Sequence, residues 1–339
     1  MSLPRLIAQR LLAALPNLLG VVVITFLLTR ALPGDPAAYF AGGAATQEAI
    51  EEVRKQLGLD RPLLEQFYRY LRDLARGDLG LSLTTGQPVR QELLSRLPAT
   101  LEIMLAALLL ACSLAIPMGV MAAVRQGSWI DQACRLITTA GVSLPTFFTG
   151  LLLAYVFYFL LGWAPSPLGR LDPMWSPPPT VTGLYLIDAA LARDPAVWWA
   201  SAKQLVLPVL TMTIFVMAPI ARMTRASMLS VLTSDFVRTA RASGLSSATV
   251  LVTYALRNAL LPVVTTLGMV FGFMLGGSVI VEKVFSWPGL GSYAIDALTA
   301  SDYAPVQGFV LAMGALFVLL NLLVDVLYLL IDPRVRVDS

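Results

Sequence analysis

Six stretches without Asp, Glu, Lys or Arg punctuate this chain, at 11–29, 103–124, 136–169, 204–221, 258–281 and 303–324. A helix needs about 20 apolar residues to cross the roughly 30 Å hydrocarbon core of a bilayer, so each stretch can span it. At this length the helix is the element that satisfies its own backbone polar groups in lipid. Composition agrees: 57% of the 339 residues are hydrophobic and 13% charged, where a soluble domain carries about 25% charged residues. The fold class predicted is an all-α polytopic membrane protein with six transmembrane helices.

Several kinds of chemistry are removed by what the sequence lacks. It contains no His, hence neither the usual general base nor the commonest metal ligand. The two cysteines, Cys112 inside the second stretch and Cys134 near the start of the third, fall at opposite faces and are expected as free thiols. No catalytic residue, metal site or resident cofactor is expected. A phosphate-binding loop of the G-x-x-x-x-G-K-[ST] type needs Gly before Lys, but Lys55, Lys203 and Lys283 follow Arg54, Ala202 and Glu282. Any ATPase loop must then sit on another polypeptide. Arg5 and Arg10 precede an apolar run as in a signal peptide, yet the run ends in Thr29-Arg30-Ala31-Leu32-Pro33 without a small-x-small cleavage site. It reads as an uncleaved first span.

Lys and Arg in short loops resist translocation and so set orientation. With the N-terminus inside, the cytoplasmic segments hold Arg5 and Arg10, Arg125 and Arg135, then Arg222, Arg225, Arg238, Arg241 and Arg257, and finally Arg334 and Arg336. The short external loops hold only Arg170, Arg193, Lys203 and Lys283. Both termini are predicted to be cytoplasmic. The chain divides into a cytoplasmic start and first span (1–31), an external cap (32–97), a five-helix transmembrane domain (98–332) and a cytoplasmic tail (333–339).

The cap has its own punctuation. Thr46 is placed to cap a helix carrying Ile50, Val53 and Leu57 on one face, with Gly58 beyond its end. A second helix follows Asp60-Arg61-Pro62, presents Leu64, Phe67, Leu71 and Leu74, and stops near Gly77. The other long external segment, 162–202, is rich in proline and punctuates more than it builds.

Between spans four and five lies a loop, 230–258, that reads as helix, tight turn, helix. Ser234 is a plausible N-cap, Asp235 opens the first turn, and Gly244 stands where a left-handed residue ends the helix. Ser246 can cap the next helix, leading into span five. The first helix has a basic side, Arg238 and Arg241, and an apolar side, Phe236, Val237 and Ala240. On pattern alone it is either a protruding lever or a solvated connector that satisfies the positive-inside rule.

That stretch, Arg238-Thr239-Ala240-Arg241-Ala242-Ser243-Gly244, resembles the cytoplasmic coupling loop of ABC importer permeases, Glu-Ala-Ala, three residues, then Gly. It departs at the first two positions, as the dipeptide, oligopeptide and nickel branch does. Other stretches are similar to that branch along the whole chain: Leu32-Pro33-Gly34-Asp35-Pro36, Gly77-Asp78-Leu79-Gly80, Leu97-Pro98-Ala99-Thr100-Leu101-Glu102, Ala255-Leu256-Arg257-Asn258, Phe285-Ser286-Trp287-Pro288-Gly289 and Asp332-Pro333-Arg334. The nearest likeness is to the first permease subunit of bacterial dipeptide importers, with Gln204 departing where many relatives carry His.

The resemblance implies a type I ABC importer transmembrane fold in the bacterial inner membrane. It implies a homologous second permease subunit, two ATPase subunits or domains holding ATP and Mg, an external solute-binding protein, and no nucleic acid. The segment from Arg238 to Gly244 would rest in a groove of an ATPase subunit. Di- or oligopeptides or a related small solute would be carried, the choice resting largely with the binding protein.

Polar residues within the spans, Thr211, Thr213, Thr265, Thr266, Ser278, Gln307 and Asn321, are as suited to joining helices as to facing substrate, and none is assigned as substrate-binding. Gly272, Gly276 and Gly277 suggest close helix approach. Asp325 lies within the last span, about 10 Å from its cytoplasmic end by the 1.5 Å rise per residue. It either pairs with Arg222 or Arg225 at the end of span four in at least one conformational state, or bonds to Asn321 or is protonated. Two rivals remain. An ion-coupled secondary transporter would need ionisable residues near the bilayer midplane, and a membrane scaffold would need no lever.

Overall fold

A computed structural model describes residues 3–31, 35–42 and 45–331, without the side chains of 3–11, 28–29, 31, 36, 39 and 327–331. The side chains of Arg5 and Arg10, the residues Leu32-Pro33-Gly34, and Asp332 with the predicted tail 333–339 lie outside this description.

The apolar stretches fold as helices. Among the described residues four are long and apolar enough to cross a membrane: α5 (Val89–Val124), α9 (Pro195–Leu232), α12 (Arg257–Val284, continuous with 247–256) and α14 (Tyr303–Ile331). The first helix, α1 (Leu3–Ala31), has 29 residues and an apolar stretch at Leu12–Leu27. Prolines inside α5 (Pro98, Pro117), α9 (Pro208, Pro219) and α12 (Pro262) do not end these helices, as packing against neighbours permits in membrane spans. The helix that carries the second apolar stretch begins upstream of residue 98, at Val89.

The third span departs from a simple rod. It consists of α6 (Trp129–Ser143) and α7 (Thr146–Leu153), which continues as a π-turn over Ala154–Leu160, and the two halves meet at 101°. Pro145 is the cause. It lacks an N–H for the helix ladder, and its ring pushes the preceding residue to extended backbone, here Leu144 at φ −103°, ψ 137°.

Helices α5 and α9 form the centre, and a buried cluster including Ile103, Met104, Met212, Val216 and Met274 joins them to α12. They approach closely at Gly119, where a Cβ would sit 2.6 Å from Thr224 Cβ. Helix α14 packs on α1, α12, α5 and α13 (Leu290–Thr299). Gly268 and Gly272 make room for it: a Cβ at Gly268 would meet Asn321 Oδ1 at 3.3 Å, and one at Gly272 would meet Phe317 at 3.2 Å. Gly276 and Gly277, expected to share this role, meet no close neighbour within this chain: a Cβ at the first would face open space, and one at the second would lie 4.0 Å from Met212 Sδ.

The segment between α1 and α5 holds α2 (Pro36–Ala41), α3 (Gln47–Gln56) and α4 (Leu63–Ala75). Thr46 caps α3 by accepting from Ala49 N at 3.3 Å, and Gly58 (φ 67°) and Gly77 (φ 75°) stand past the helix ends as expected. Phe67 and Tyr70 of α4 lie against Phe26 of α1, with ring centroids 5.0 and 5.8 Å apart. Leu64, expected on the packed face, is exposed. The following turn is tied to the base of α14 by Asp302, whose Oδ2 accepts from Ser82 Oγ (2.8 Å), Thr84 N (3.0 Å) and Thr84 Oγ1 (3.2 Å).

Candidate functional site

The lever forms as a discrete module at one end of the bundle. Helix α10 (Asp235–Ala242) follows α9 directly, and its turn leads through α11 (Ser247–Thr249) and a π-turn, Val250–Leu256, into α12. Gly244 has φ 76°, a conformation that costs a side-chain-bearing residue about 1–2 kcal/mol. It lets Gly244 N reach Arg241 O at 3.0 Å, closing the helix end. Ser246 accepts from Thr249 N at 3.2 Å and starts the next helix. Ser234 has N-cap backbone geometry, but its Oγ donates to Val231 O (2.6 Å), not accepting from α10.

The module is anchored on its apolar side. Val237 and Ala240 are buried in a cluster with Ala123 of α5, Met228 of α9 and Val250, Ala255 and Ala259 around the start of α12. One short helix therefore shares a buried cluster with the ends of three spans, and it packs directly on α9 and on the π-turn that leads into α12. Its outer face carries Arg238, Thr239, Arg241, Ala242, Ser243 and Gly244, all exposed, with Arg238 paired to Asp235. Phe236, expected on the packed side, is exposed as well, because the helix turns only Val237 and Ala240 inward. The exposed surface of the helix thus offers two guanidinium groups and an aromatic ring to a partner.

Beside the module, Asp131 in the first turn of α6 grips Arg225 of α9: Nε to Oδ1 and Nη2 to Oδ2, both 2.7 Å, with Gly127 N donating to Oδ2 at 3.0 Å. This fork holds the bent span to the central helix. In this structure Arg225 is therefore engaged by Asp131. The reason is placement, since α6 lies against α9 while α14 lies against α1. Arg222 is exposed. Asp325 lines a cavity of about 390 Å³ between α1 and α14, with Asn17 and Asn321. Asn321 Nδ2 donates to Phe317 O of its own helix, at 2.9 Å.

The polar residues of the spans are absorbed by packing. Thr211, Thr266 and Ser278 are buried and bond to carbonyls of their own helices, at Leu207, Pro262 and Leu275. Thr213 reaches across to Ala107 O of α5 at 3.3 Å. Gln307 is buried in α14. Thr265 stands on the exposed side of α12.

At the opposite end of the bundle lies a network that sequence reasoning missed. Arg170, 8% exposed, donates from Nε (3.1 Å) and Nη2 (2.6 Å) to Glu102 Oε2, and from Nη2 to Gly183 O (2.8 Å). Glu102 Oε1 accepts from Leu186 N at 3.1 Å. Glu282, wholly buried, accepts from Thr100 Oγ1 (2.7 Å) and Ser292 N (2.9 Å), and Trp287 Nε1 donates to Ala99 O (2.9 Å). In α8 (Tyr185–Leu191), burial works against the charge of Asp188, yet hydrogen bonds from Thr182, Val181 and Gly183 hold its carboxyl below the usual carboxylate range. The proline-rich segment is thereby fastened to α5. The only cue was the apposition of these motifs with the resemblance; partners so distant in sequence leave no periodic trace.

Two family descriptions match the chain: "Binding-protein-dependent transport system inner membrane component" over residues 115–337, and the corresponding N-terminal membrane component over residues 3–104. The chain is 45% identical over 316 residues to the "Probable D,D-dipeptide transport system permease protein DdpB" of Escherichia coli K12, covering 93% of each. It is 44% identical to the "Di/tripeptide transport system permease protein DppB" of Pseudomonas aeruginosa and 41% identical to the "Glutathione transport system permease protein GsiC" of Escherichia coli O6:H1, in both cases over 97% of this chain and 98% of the relative.

Proposed function

Since the chain belongs to the family of binding-protein-dependent transport system inner membrane components, we propose that it forms half of the import pathway for di- or oligopeptides or a related small solute. It is a permease subunit of an ABC importer and a multi-pass inner-membrane protein. Both termini and α10 face the cytoplasm in this reading, and the end carrying Arg170 and Glu102 faces outward, in keeping with the basic residues around α10. ATP and Mg sit on two partner ATPase subunits, a homologous second permease completes the pathway, and an external binding protein delivers the solute.

The observation that carries the reading is the buried cluster that α10 shares with the ends of α5, α9 and α12, through its packing on α9 and on the π-turn before α12. ATP binding can shift an outward-open to an inward-open state only if it interacts differently with the two. Closure of an ATPase pair on the exposed face of α10 supplies that difference, and the buried Val237 and Ala240 pass the displacement to three spans at once. Close packing makes such a transfer effective, because cores are stiff and not continuously deformable. The test is uptake of a radiolabelled dipeptide by vesicles holding the complete complex with its binding protein. Uptake should require hydrolysable ATP inside and cease with a non-hydrolysable analogue. Uptake driven by a proton or sodium gradient without ATP would overturn the proposal.

A further inference from the structure

At the outward end of α9 the proline-rich segment folds over the helix and leaves a cavity of about 650 Å³, within the range of small-molecule sites. The segment contributes Asp172 and Trp175, and α9 contributes Trp199, Lys203 and Gln204. Ala196 and Ala200 lie on the same helical face, one turn apart, and their small side chains leave the floor open.

The segment is held in place before any ligand arrives. Arg170, two residues ahead of Asp172, is fixed by its buried bonds to Glu102 and Gly183. Asp172 closes its own turn, with Oδ1 accepting from Met174 N and its carbonyl from Trp175 N, both at 2.9 Å. Asp172 and Lys203 form no salt bridge among the described residues, so the cavity keeps one acid and one base apart on two walls. Gln204, 6% exposed, has no hydrogen-bond partner for Nε2, and a buried amide without a partner is costly.

We propose that this cavity is a vestibule for a small zwitterion with a free ammonium and a free carboxylate, the chemistry of a short peptide. The ammonium meets Asp172, the carboxylate meets Lys203, and the indoles of Trp175 and Trp199 cover the chain between them. The Gln204 amide supplies a polar group at the floor. A rigid, charge-separated site favours ligands carrying both termini and disfavours those with one blocked, since a blocked terminus strands a charge. The inference rests on the import reading for its outward orientation and deepens it by naming a stop for the solute in this subunit.

The experiment uses the whole complex in phosphatidylglycerol vesicles, which present no zwitterionic headgroups. Tryptophan emission is titrated with alanyl-alanine, its N-acetyl derivative and its C-terminal amide. Alanyl-alanine should bind saturably, and each blocked form about tenfold or more weakly. Asp172→Asn should weaken the two ligands with a free ammonium and spare the N-acetyl form; Lys203→Gln should weaken the two with a free carboxylate and spare the amide. Lys203 is exposed, so its substitution leaves folding intact, and that arm decides alone if Asp172→Asn fails to assemble. Equal losses for all three ligands, no loss, or no saturable signal overturns the vestibule. So does a defect seen only with the binding protein present, which marks a docking surface. ATP-dependent uptake on the same vesicles separates the two ideas: normal uptake without this ligand pattern sinks the vestibule alone, and absent uptake sinks the import reading.

Discussion

Replacing Arg170 by Met tests whether the outward network holds the molecule together or merely decorates it. The change keeps an unbranched apolar stem and removes the guanidinium. Glu102 Oε2 then loses both donors, Oε1 keeps only Leu186 N, and Gly183 O loses its partner. The stacking of the guanidinium 3.6 Å above the Tyr185 ring goes too. Glu102 and Arg170 are both more than nine-tenths buried, so the stranded carboxylate is not rescued by water. Breaking a buried pair from one side costs about 3–5 kcal/mol. At roughly 2 cal/mol/K of unfolding entropy per residue, a chain of this length should lose about 4–7 °C in melting temperature. The assay is thermal unfolding of the purified complex in detergent, followed by tryptophan emission. Adding Glu102→Leu to Arg170→Met should recover part of the loss, because an apolar replacement of a buried pair is often neutral. About 1–3 kcal/mol should remain for Leu186 N and Gly183 O. A single-mutant shift below about 1 °C, or a double mutant as unstable as the sum of the singles, refutes the reasoning.

Gly244→Val should cost about 1–2 kcal/mol through backbone strain, since open space surrounds the position; ATPase activity should continue with reduced uptake, and wild-type transport would remove the lever. Arg225→Gln should couple to Asp131→Asn in a thermodynamic cycle and be additive with Asp325→Asn, and coupling to Asp325 would contradict the fork seen here. Asp188 has a carboxyl held below its ordinary range, so its stabilisation is complete above the unfolded value near pH 4 and is lost as pH falls through the folded one. Melting temperatures measured from pH 7 down to pH 3 should therefore fall less steeply for Asp188→Asn, and an unchanged slope counts against it. Single cysteines at Glu51 should react with impermeant reagents from outside and those at Ser247 and Val337 from inside; the reverse pattern overturns the orientation.

The spans, the caps at Thr46 and Ser246, and the left-handed glycines at 58, 77 and 244 were legible because each obeys a local rule. Hydrophobic length fixes a span, and a positive φ selects glycine. The bend at Pro145 was legible in principle, but a charge-free interval conceals it when read for length alone. Arg225 shows the other limit. Depth in the membrane made Asp325 a reasonable partner, yet which helix lies beside α9 is decided by packing, and the fork to Asp131 spans 94 residues. Glu102, Arg170 and Glu282 escaped for the same reason. Phe236 was misplaced because a helix of eight residues presents two faces that composition alone does not tell apart.

The bent third span also bears on how the protein is made. Its first half, α6, is 15 residues long and its second half, through Leu160, is no longer. At 1.5 Å per residue each measures about 22 Å, short of a hydrocarbon core of roughly 30 Å. Neither half is a stable insertion unit by itself when it leaves the ribosome. Both halves lie against α9, which is synthesised later, and Asp131 finds Arg225 only on that helix. The third span is therefore expected to settle into lipid only after the fourth has arrived, and a nascent chain truncated before α9 should leave it exposed to quality-control proteases.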